Sequence, residues 1–375
     1  MMSITHKMLD TVRHIKNLYF NERVKMNVAR FKKSKTKKPK NLIKKEMDEL
    51  KEYWGCIPSQ YITHDFFDKD CNLSIDEMKD YIPGYYFYYI IYPKYDDVKS
   101  VIPIVEDKIK SCKLFMELGY RIVEPLILLN KSTYTMSANG ELLNTPLEEW
   151  LSSIVSNKIF IKPIHGRGGK GIYIAHEDDG NFHVNGTIFD LNYISSLNGD
   201  YVIEPGITQC EYMSDIYPNS VNTLRVITKR DIQTNEISIV AITLRMGCFG
   251  REVDNGSQGG LLLGIDINAG TPIYPYAVFE YGSEKFEHHP DTGYSFSKFQ
   301  INDWGEFKRQ LIMYAERLRV LNLAGWDIAI TDDGPMVIEV NAQMGLDHSQ
   351  SGVGGLRNMF LDDVPTLSLK NGIRK

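Results

Sequence analysis

The sequence predicts an α+β protein of two lobes, one small and one large, preceded by an α/β segment and a basic helical extension. Three observations carry this reading. A β-rich run ends at Lys162 and enters a loop with four glycines in the six positions 166–171. Two pairs of apolar runs, 221–228 with 237–245 and 326–330 with 336–341, are each joined by a short polar stretch and read as hairpins. Between them Phe307, Leu311, Tyr314, Leu318 and Leu321 recur at helical spacing.

The elements follow in order. Met8, Val12, Ile15 and Tyr19 predict one helix over 5–31. Six lysines then fall within 32–40, reading as a solvated linker or a patch for an anionic surface. Together, residues 1–50 form a basic amphipathic extension. Residues 51–128 read as an α/β domain, with a buried strand at 85–92 and a helix that starts near Asp107 and stops at Gly119. Residues 129–202 form a small lobe. In it Thr145-Pro146-Leu-Glu148 reads as a capping box, with proline at the first helical position and the helix running to about Val155. Strands at 158–163 and 171–176 flank the glycine loop, which makes this lobe resemble a mobile lid. Residues 203–365 form the larger lobe, and 366–375 a tail.

Composition narrows the class. With 43% hydrophobic and 11% aromatic residues in 375, a sizeable core is expected. No apolar run is long enough to span a bilayer, and no secretory core opens the chain. Five scattered cysteines suggest a reducing compartment and no zinc site. The expectation is a cytoplasmic protein, at most peripheral at the inner face of the membrane. Residues 1–51 carry fifteen Lys/Arg against five Asp/Glu, so the rest carries 28 against 43. That basic head on an acidic body argues against nucleic acid as a partner, since no recognition motif follows. It leaves contact of residues 1–45 with an anionic membrane as an expectation.

Hairpin arithmetic gathers the chemistry. If the second turn centres on Asp333, Asp327 and Glu339 face each other, with Asn341 on the same side and Met336, Ile338 and Val340 turned to the core. Two carboxylates and an amide at that spacing suit a hard cation, Mg²⁺ or Mn²⁺. In the first hairpin Arg225 and Arg245 come near each other on one face and want an anion. The glycine loop would cradle phosphates with its backbone N–H groups. Residues 254–260, polar and glycine-rich, read as a substrate loop. His288 and His289 read as surface.

The ordered set Asp107-Lys108, Lys162 with Gly166-Arg167-Gly168-Gly169-Lys170-Gly171, Glu204-Pro205-Gly206-Ile207, Glu211, Trp326-Asp327 and Glu339-Val340-Asn341 resembles the ATP-grasp superfamily. Its members include D-alanine–D-alanine ligase and biotin carboxylase. Asn222-Thr223-Leu224-Arg225 and the basic extension resemble, more narrowly, the ATP-grasp proteins associated with sugar transfer in bacterial surface-polysaccharide clusters.

The resemblance implies a fold in which two α+β lobes grip ATP. It assigns Lys108 and Lys162 to the phosphates, with Lys113 as a second candidate for the first lysine. Gly166 to Gly171 would form the lid loop, Glu204 to Ile207 the adenine hinge, and Glu211 the ribose contact. Asp327, Glu339 and Asn341 would hold the metal. Relatives of the D-alanine type have an arginine two residues before the metal aspartate, where this chain has Gly325, so Arg225 and Arg245 become the activating candidates. The implied activity is an ATP-dependent carboxylate–amine ligase that works through an acyl phosphate. It would join an amino acid or other amine to a carboxylate such as a uronic acid, free or on a nucleotide- or lipid-linked sugar. A phosphotransferase with the same ATP site and a non-catalytic ATP-binding scaffold stay open. Dimers are common among the relatives, so a homodimer is expected.

Overall fold

The computed structural model describes residues 4–165, 171–254, 256, 259–282 and 284–366. Strands β1 (Leu126–Leu129), β2 (Ser132–Met136), β3 (Leu142–Asn144), β4 (Lys158–Pro163), β5 (Tyr173–Asp178), β6 (Asn181–Val184), β7 (Thr187–Ile188) and β8 (Tyr201–Pro205) form one antiparallel sheet. Its order is β3-β2-β1-β8-β4-β5-β6-β7. Strands β9 (Thr223–Arg230), β10 (Ile237–Met246), β11 (Leu261–Ile265), β12 (Ala277–Phe279), β13 (Lys285–Phe286), β14 (Leu323–Thr331) and β15 (Gly334–Asn341) form the second. That sheet runs β13-β12-β11-β10-β9-β14-β15, so both expected hairpins are neighbours in it.

The second sheet is covered on both faces. On one side the helix Trp304–Arg317 presents Phe307, Leu311 and Tyr314, which pack with Leu224, Val226, Leu244, Trp326 and Ile328. On the other, Ile227, Val240 and Leu323 pack with Phe87, Ile91, Tyr92 and Phe360. Two covered faces explain why β10 is apolar almost throughout, since alternation survives only where one face meets water. Each such side chain contributes roughly 1.5–3 kcal/mol on burial. A Phe307→Ala change would open a cavity costing about 3–5 kcal/mol.

Several expected elements are corrected. Residues 5–31 form two helices, Ile4–Phe20 and Glu22–Lys33, because Asn21 breaks the run and caps the second by accepting from the Val24 N–H. In the first helix Met8 and Val12 turn outward, 66% and 63% exposed, whereas Asp10 is buried. The lysine run is no free linker. Lys38 is buried against Glu46 at 3.0 Å, Lys37 bonds the carbonyls of Phe31 and Lys32, and only Lys32, Lys33, Lys35 and Lys40 stay exposed.

Residues 51–117 are helical, not α/β, and 85–92 is a helical turn followed by the π-helix Phe87–Ile91. A continuous apolar run carries no periodicity that separates buried strand from buried helix. The expected capping box at Thr145 is absent. Pro146 is itself the N-cap of Leu147–Ser153, and the Thr145 hydroxyl bonds Thr135 and the Leu143 carbonyl instead. His289, read as surface, is buried on Tyr217 with Nε2 2.9 Å from the Gly247 carbonyl.

Candidate active site

The two sheets face each other across a cleft. Residues 121–122 tie the chain that enters the first sheet to β15: Ile122 pairs with Val337, and the Val337 N–H donates to the Arg121 carbonyl at 2.8 Å. On the opposite side Lys158 of β4 bridges to Glu252 at 2.7 Å, with His176 of β5 3.3 Å from the same carboxylate.

In the β14–β15 hairpin Asp327 pairs with Glu339 and Gly325 with Asn341. A bulge after Asp327 shifts the alternation, so Val337 rather than Ile338 packs in the core and Ile338 lines the cleft. Gly325 has no room for a side chain, since a Cβ there would lie 2.8 Å from the Met344 Cβ. The guanidiniums come from the neighbouring strands instead. Arg225 pairs with Thr243 and Arg245 with Thr223, which puts both arginines on one face. Arg225 Nε lies 2.5 Å from Asp327 Oδ1, and Arg245 Nη2 lies 3.3 Å from Asp327 Oδ2. Burial pushes the Asp327 carboxyl up, but the two guanidiniums outweigh it and hold the group below its ordinary range. Arg245 also reaches Thr223 at 2.7 Å and Asp254 at 3.4 Å.

Glu339 is the open carboxylate. It makes no ion pair within 4 Å among the described residues. Burial in the cleft and the charge of Asp327 push its carboxyl up, against Lys108, Arg225 and Lys162. Lys108 begins the helix Lys108–Glu117, whose N-terminus Asp107 caps through the N–H groups of Ile109 and Lys110. Burial lowers the Lys108 ammonium, with Glu339 opposing and Lys162 reinforcing that shift. Lys162 lies 2.5 Å from Glu204 across the β4–β8 pair. Lys108, Lys162, Glu204 and Glu339 together line a hollow of about 140 Å³. Lys113 is exposed and packs beside Gly140, which separates it from this group.

A cavity of about 1040 Å³ runs from Glu204, Pro205 and Ile207, the residues expected to form a hinge, past Arg225, Arg245, Asp327, Glu339 and Asn341, to the N-terminal helices. Gly206 does not line it, and Glu211 lies outside it, exposed at the start of the short helix Glu211–Ser214. Gly171 follows the loop with φ +73. Gly166, Arg167, Gly168, Gly169 and Lys170 lie outside the described residues. Of the expected substrate loop, Asp254 lines the cavity beside Glu252 and Val253.

On the far wall of this cavity the resemblance pointed only to the loop after Asn341, where the family places acceptor contacts. Asp10, Arg13 and Arg23 reach this wall from the N-terminal helices, and Glu280, Asp347 and His348 from the large lobe. The one signal was Asp347-His348, six residues beyond Asn341.

No group of three or more His, Cys, Asp or Glu side chains converges as a metal site among the described residues. The candidate donor set is two carboxylates and the Asn341 amide. It fits a hard cation: all three side chains offer oxygens, Asp327 and Glu339 face each other across the strand pair, and Glu339 holds no cation within 4 Å among the described residues. Asp327 would share its oxygens between the ion and the two arginines.

Two sheets closing on lysines, arginines and a cross-strand carboxylate pair define an ATP-grasp protein. The chain belongs to the sugar-transfer associated ATP-grasp family, whose model matches residues 91–361. Among solved structures it is similar to D-alanine–D-alanine ligase from Bacillus anthracis, with 14% identity, TM-score 0.37, and coverage of 69% of this chain and 67% of that one. It is similar to the ATP-grasp ligase PsnB complexed with minimal precursor, Mg and ADP, at 13% identity, TM-score 0.39, covering 72% and 61%. Biotin carboxylase from Campylobacter jejuni gives 12% identity, TM-score 0.40, covering 73% and 49%. The chain thus spans about half to two thirds of those proteins' lengths. No curated protein matches it.

Proposed function

We propose that the protein is an ATP-dependent carboxylate–amine ligase, acting in the synthesis of a bacterial surface polysaccharide. The observation that carries this is the continuity of the cavity. At about 1040 Å³ it exceeds the roughly 300–1,000 Å³ usual for one small-molecule site. The phosphate-directed charges sit midway along it, so a second substrate can approach them from the end opposite the hinge.

In this reading ATP lies between the hinge and Glu339, with Lys108 and Lys162 against its phosphates. Mg²⁺ or Mn²⁺, held by Glu339, Asn341 and Asp327, would neutralise charge on the phosphates. Arg225 and Arg245, oriented by Asp327, present guanidinium edges where the transferring phosphoryl group and the substrate carboxylate meet. The carboxylate oxygen attacks the γ-phosphorus and ADP leaves. The resulting acyl phosphate is attacked at carbon by an amine, and phosphate departs as the amide forms. The two sheets and the N-terminal helices keep water from the acyl phosphate meanwhile.

Hydroxylamine traps an acyl phosphate whatever the natural amine is. With ATP, Mg²⁺ and a panel of uronic and amino acids, a hydroxamate should form with one carboxylate class. ADP release without hydroxamate would replace this reading with phosphotransfer to a hydroxyl, and no ADP with any carboxylate would favour a scaffold. Contact with an anionic membrane belongs to the same reading and rests on the exposed Lys32, Lys33, Lys35 and Lys40. Reversing those four to Glu should abolish co-sedimentation with phosphatidylglycerol vesicles; unchanged binding would remove the membrane from the account. Among the described residues no helix is long and apolar enough to cross a membrane.

A further inference from the structure

The end of the cavity opposite the hinge is assembled from distant parts of the chain. The N-terminal helices are fastened there by polar contacts. Asp10 accepts from the Ile57 N–H at 2.7 Å, and Arg13 lies 4.6 Å over the Tyr89 ring. Arg30 donates to the carbonyls of Ile62 and Thr63 and pairs with Asp65 at 2.9 Å. The helix Leu346–Val353 supplies the opposite wall. It lies directly on β11, since a Cβ on Gly264 would meet the Gly352 carbonyl carbon at 2.6 Å. That close approach fixes Asp347 and His348, on its first turn, a few residues beyond the metal strand.

Four polar atoms here are buried without a hydrogen-bond partner: Glu280 Oε2, Asp347 Oδ1, His348 Nε2 and His64 Nε2. Glu280 is 4% exposed and lines the cavity, so it is an unpaired carboxylate oxygen held out of bulk water. Its other oxygen accepts from Tyr281 at 2.7 Å. The gaps around these atoms are too long for hydrogen bonds. His348 Nδ1 is 3.9 Å from Glu280 Oε2, His64 Nε2 is 4.0 Å from Asp347 Oδ1, and Arg23 Nη1 is 3.8 Å from Glu280 Oε1. Buried acceptors normally find donors, and leaving each unpaired costs roughly 1–3 kcal/mol. Burial and the charge of Glu280 push the Asp347 carboxyl up to about 6. Both imidazoles are lowered, burial being the first cause in each, so neither supplies a cation at neutral pH. Arg23 is the cation nearest these oxygens, and it stops 3.8 Å short of Glu280 Oε1.

We propose that this end of the cavity seats the amine substrate as an alkylammonium, with Glu280 and Asp347 accepting its N–H groups and Tyr88 and Tyr281 flanking its carbon stem. That the bound cation becomes the attacking amine, once it has given one N–H proton to a carboxylate of the seat, rests on the ligase reading. The seat itself rests on the unpaired buried oxygens. It also gives the N-terminal helices a role in closing the wall opposite Asp347, which explains why the first helix turns Asp10 and Arg13 inward and Met8 and Val12 outward.

Ethylammonium chloride is the probe, with ethanol as its neutral isostere. Ligand-observed saturation-transfer NMR on the full chain, without ATP, should show saturable binding of ethylammonium and none of ethanol. Glu280→Gln and Asp347→Asn should each weaken it at least about tenfold, the scale of one lost charge-assisted hydrogen bond. Ethylammonium that binds no better than ethanol to the unaltered protein would overturn the seat, with no variant needed. Binding equal in the unaltered protein and both variants would overturn it too. The hydroxylamine assay separates the two ideas. Hydroxamate without ethylammonium binding keeps the ligase and removes the seat. Ethylammonium binding without hydroxamate keeps the seat and removes the ligase.

Discussion

At the middle of the cavity Arg225, Arg245 and Asp327 stand on adjacent strands of one sheet and satisfy one another; at its far end the charged side chains come from separated stretches and leave polar atoms unpaired. Arg225, Arg245 and Asp327 need only the register of β9, β10 and β14 to meet. Glu280, Asp347, His348 and His64 meet only once β12, the helix after β15 and the N-terminal layers have packed. A centre that handles phosphates gains from charges preset before substrate arrives, because reorganisation during reaction is avoided. A seat for a cation gains from acceptors that the ligand itself completes.

The largest effects should fall on the preset centre. Asp327→Ala strands two arginines in the cleft, and breaking a buried pair this way costs about 3–5 kcal/mol. Urea unfolding should show that loss, and stability within about 1 kcal/mol of the parent would mean the guanidiniums have other partners. Glu339→Gln leaves the fold intact but should lower ADP release about 100-fold or more. A fall of less than tenfold would take Glu339 out of the phosphate chemistry.

Next comes the seam that holds the far wall. Asp10→Ala removes the acceptor of the half-buried Ile57 N–H, a loss of roughly 1–3 kcal/mol. Hydrogen exchange should rise first in the helix Ile4–Phe20, while β9 and β14 keep their protection. Uniform loss across both regions would erase the contrast drawn between them.

A pH effect follows from His64. Burial first, then Arg30, lowers its imidazole from 6.5 to about 3. Between those values the unfolded chain binds the extra proton, so this group's stabilisation is full above about 6.5 and is lost as pH falls toward 3. In His64→Gln the stability profile should flatten over that window. The smallest effect is expected at Glu252, which joins the sheets through half-exposed Lys158 and His176. Glu252→Gln should shift stability by only about 0.2–1 kcal/mol.

The same contrast governs what could be read in the sequence. Hairpin arithmetic placed Asp327 opposite Glu339 because strand pairing is local and its period is two. It missed the bulge that turns Ile338 to the cleft, since an inserted residue leaves no mark in an apolar run. The run at 85–92 was legible as buried but not as helical, because five of its eight side chains pack inside and no polar face sets a period. The far wall was illegible for a different reason. Its carboxylates lie far apart in sequence, and only packing brings Glu280 to His348. In the first helix Met8 and Val12 misled, since they are exposed while the polar Asp10 is buried.

The account stands on phosphate passing to a carboxylate before any amine acts. A carboxylate substrate labelled with ¹⁸O in its carboxyl group, given with ATP, Mg²⁺ and hydroxylamine, tests this directly through the isotope shift in the ³¹P spectrum of released phosphate. The account predicts one ¹⁸O carried into that phosphate for each hydroxamate formed. Phosphate released without label would mean that no acyl phosphate was made, and would contradict it.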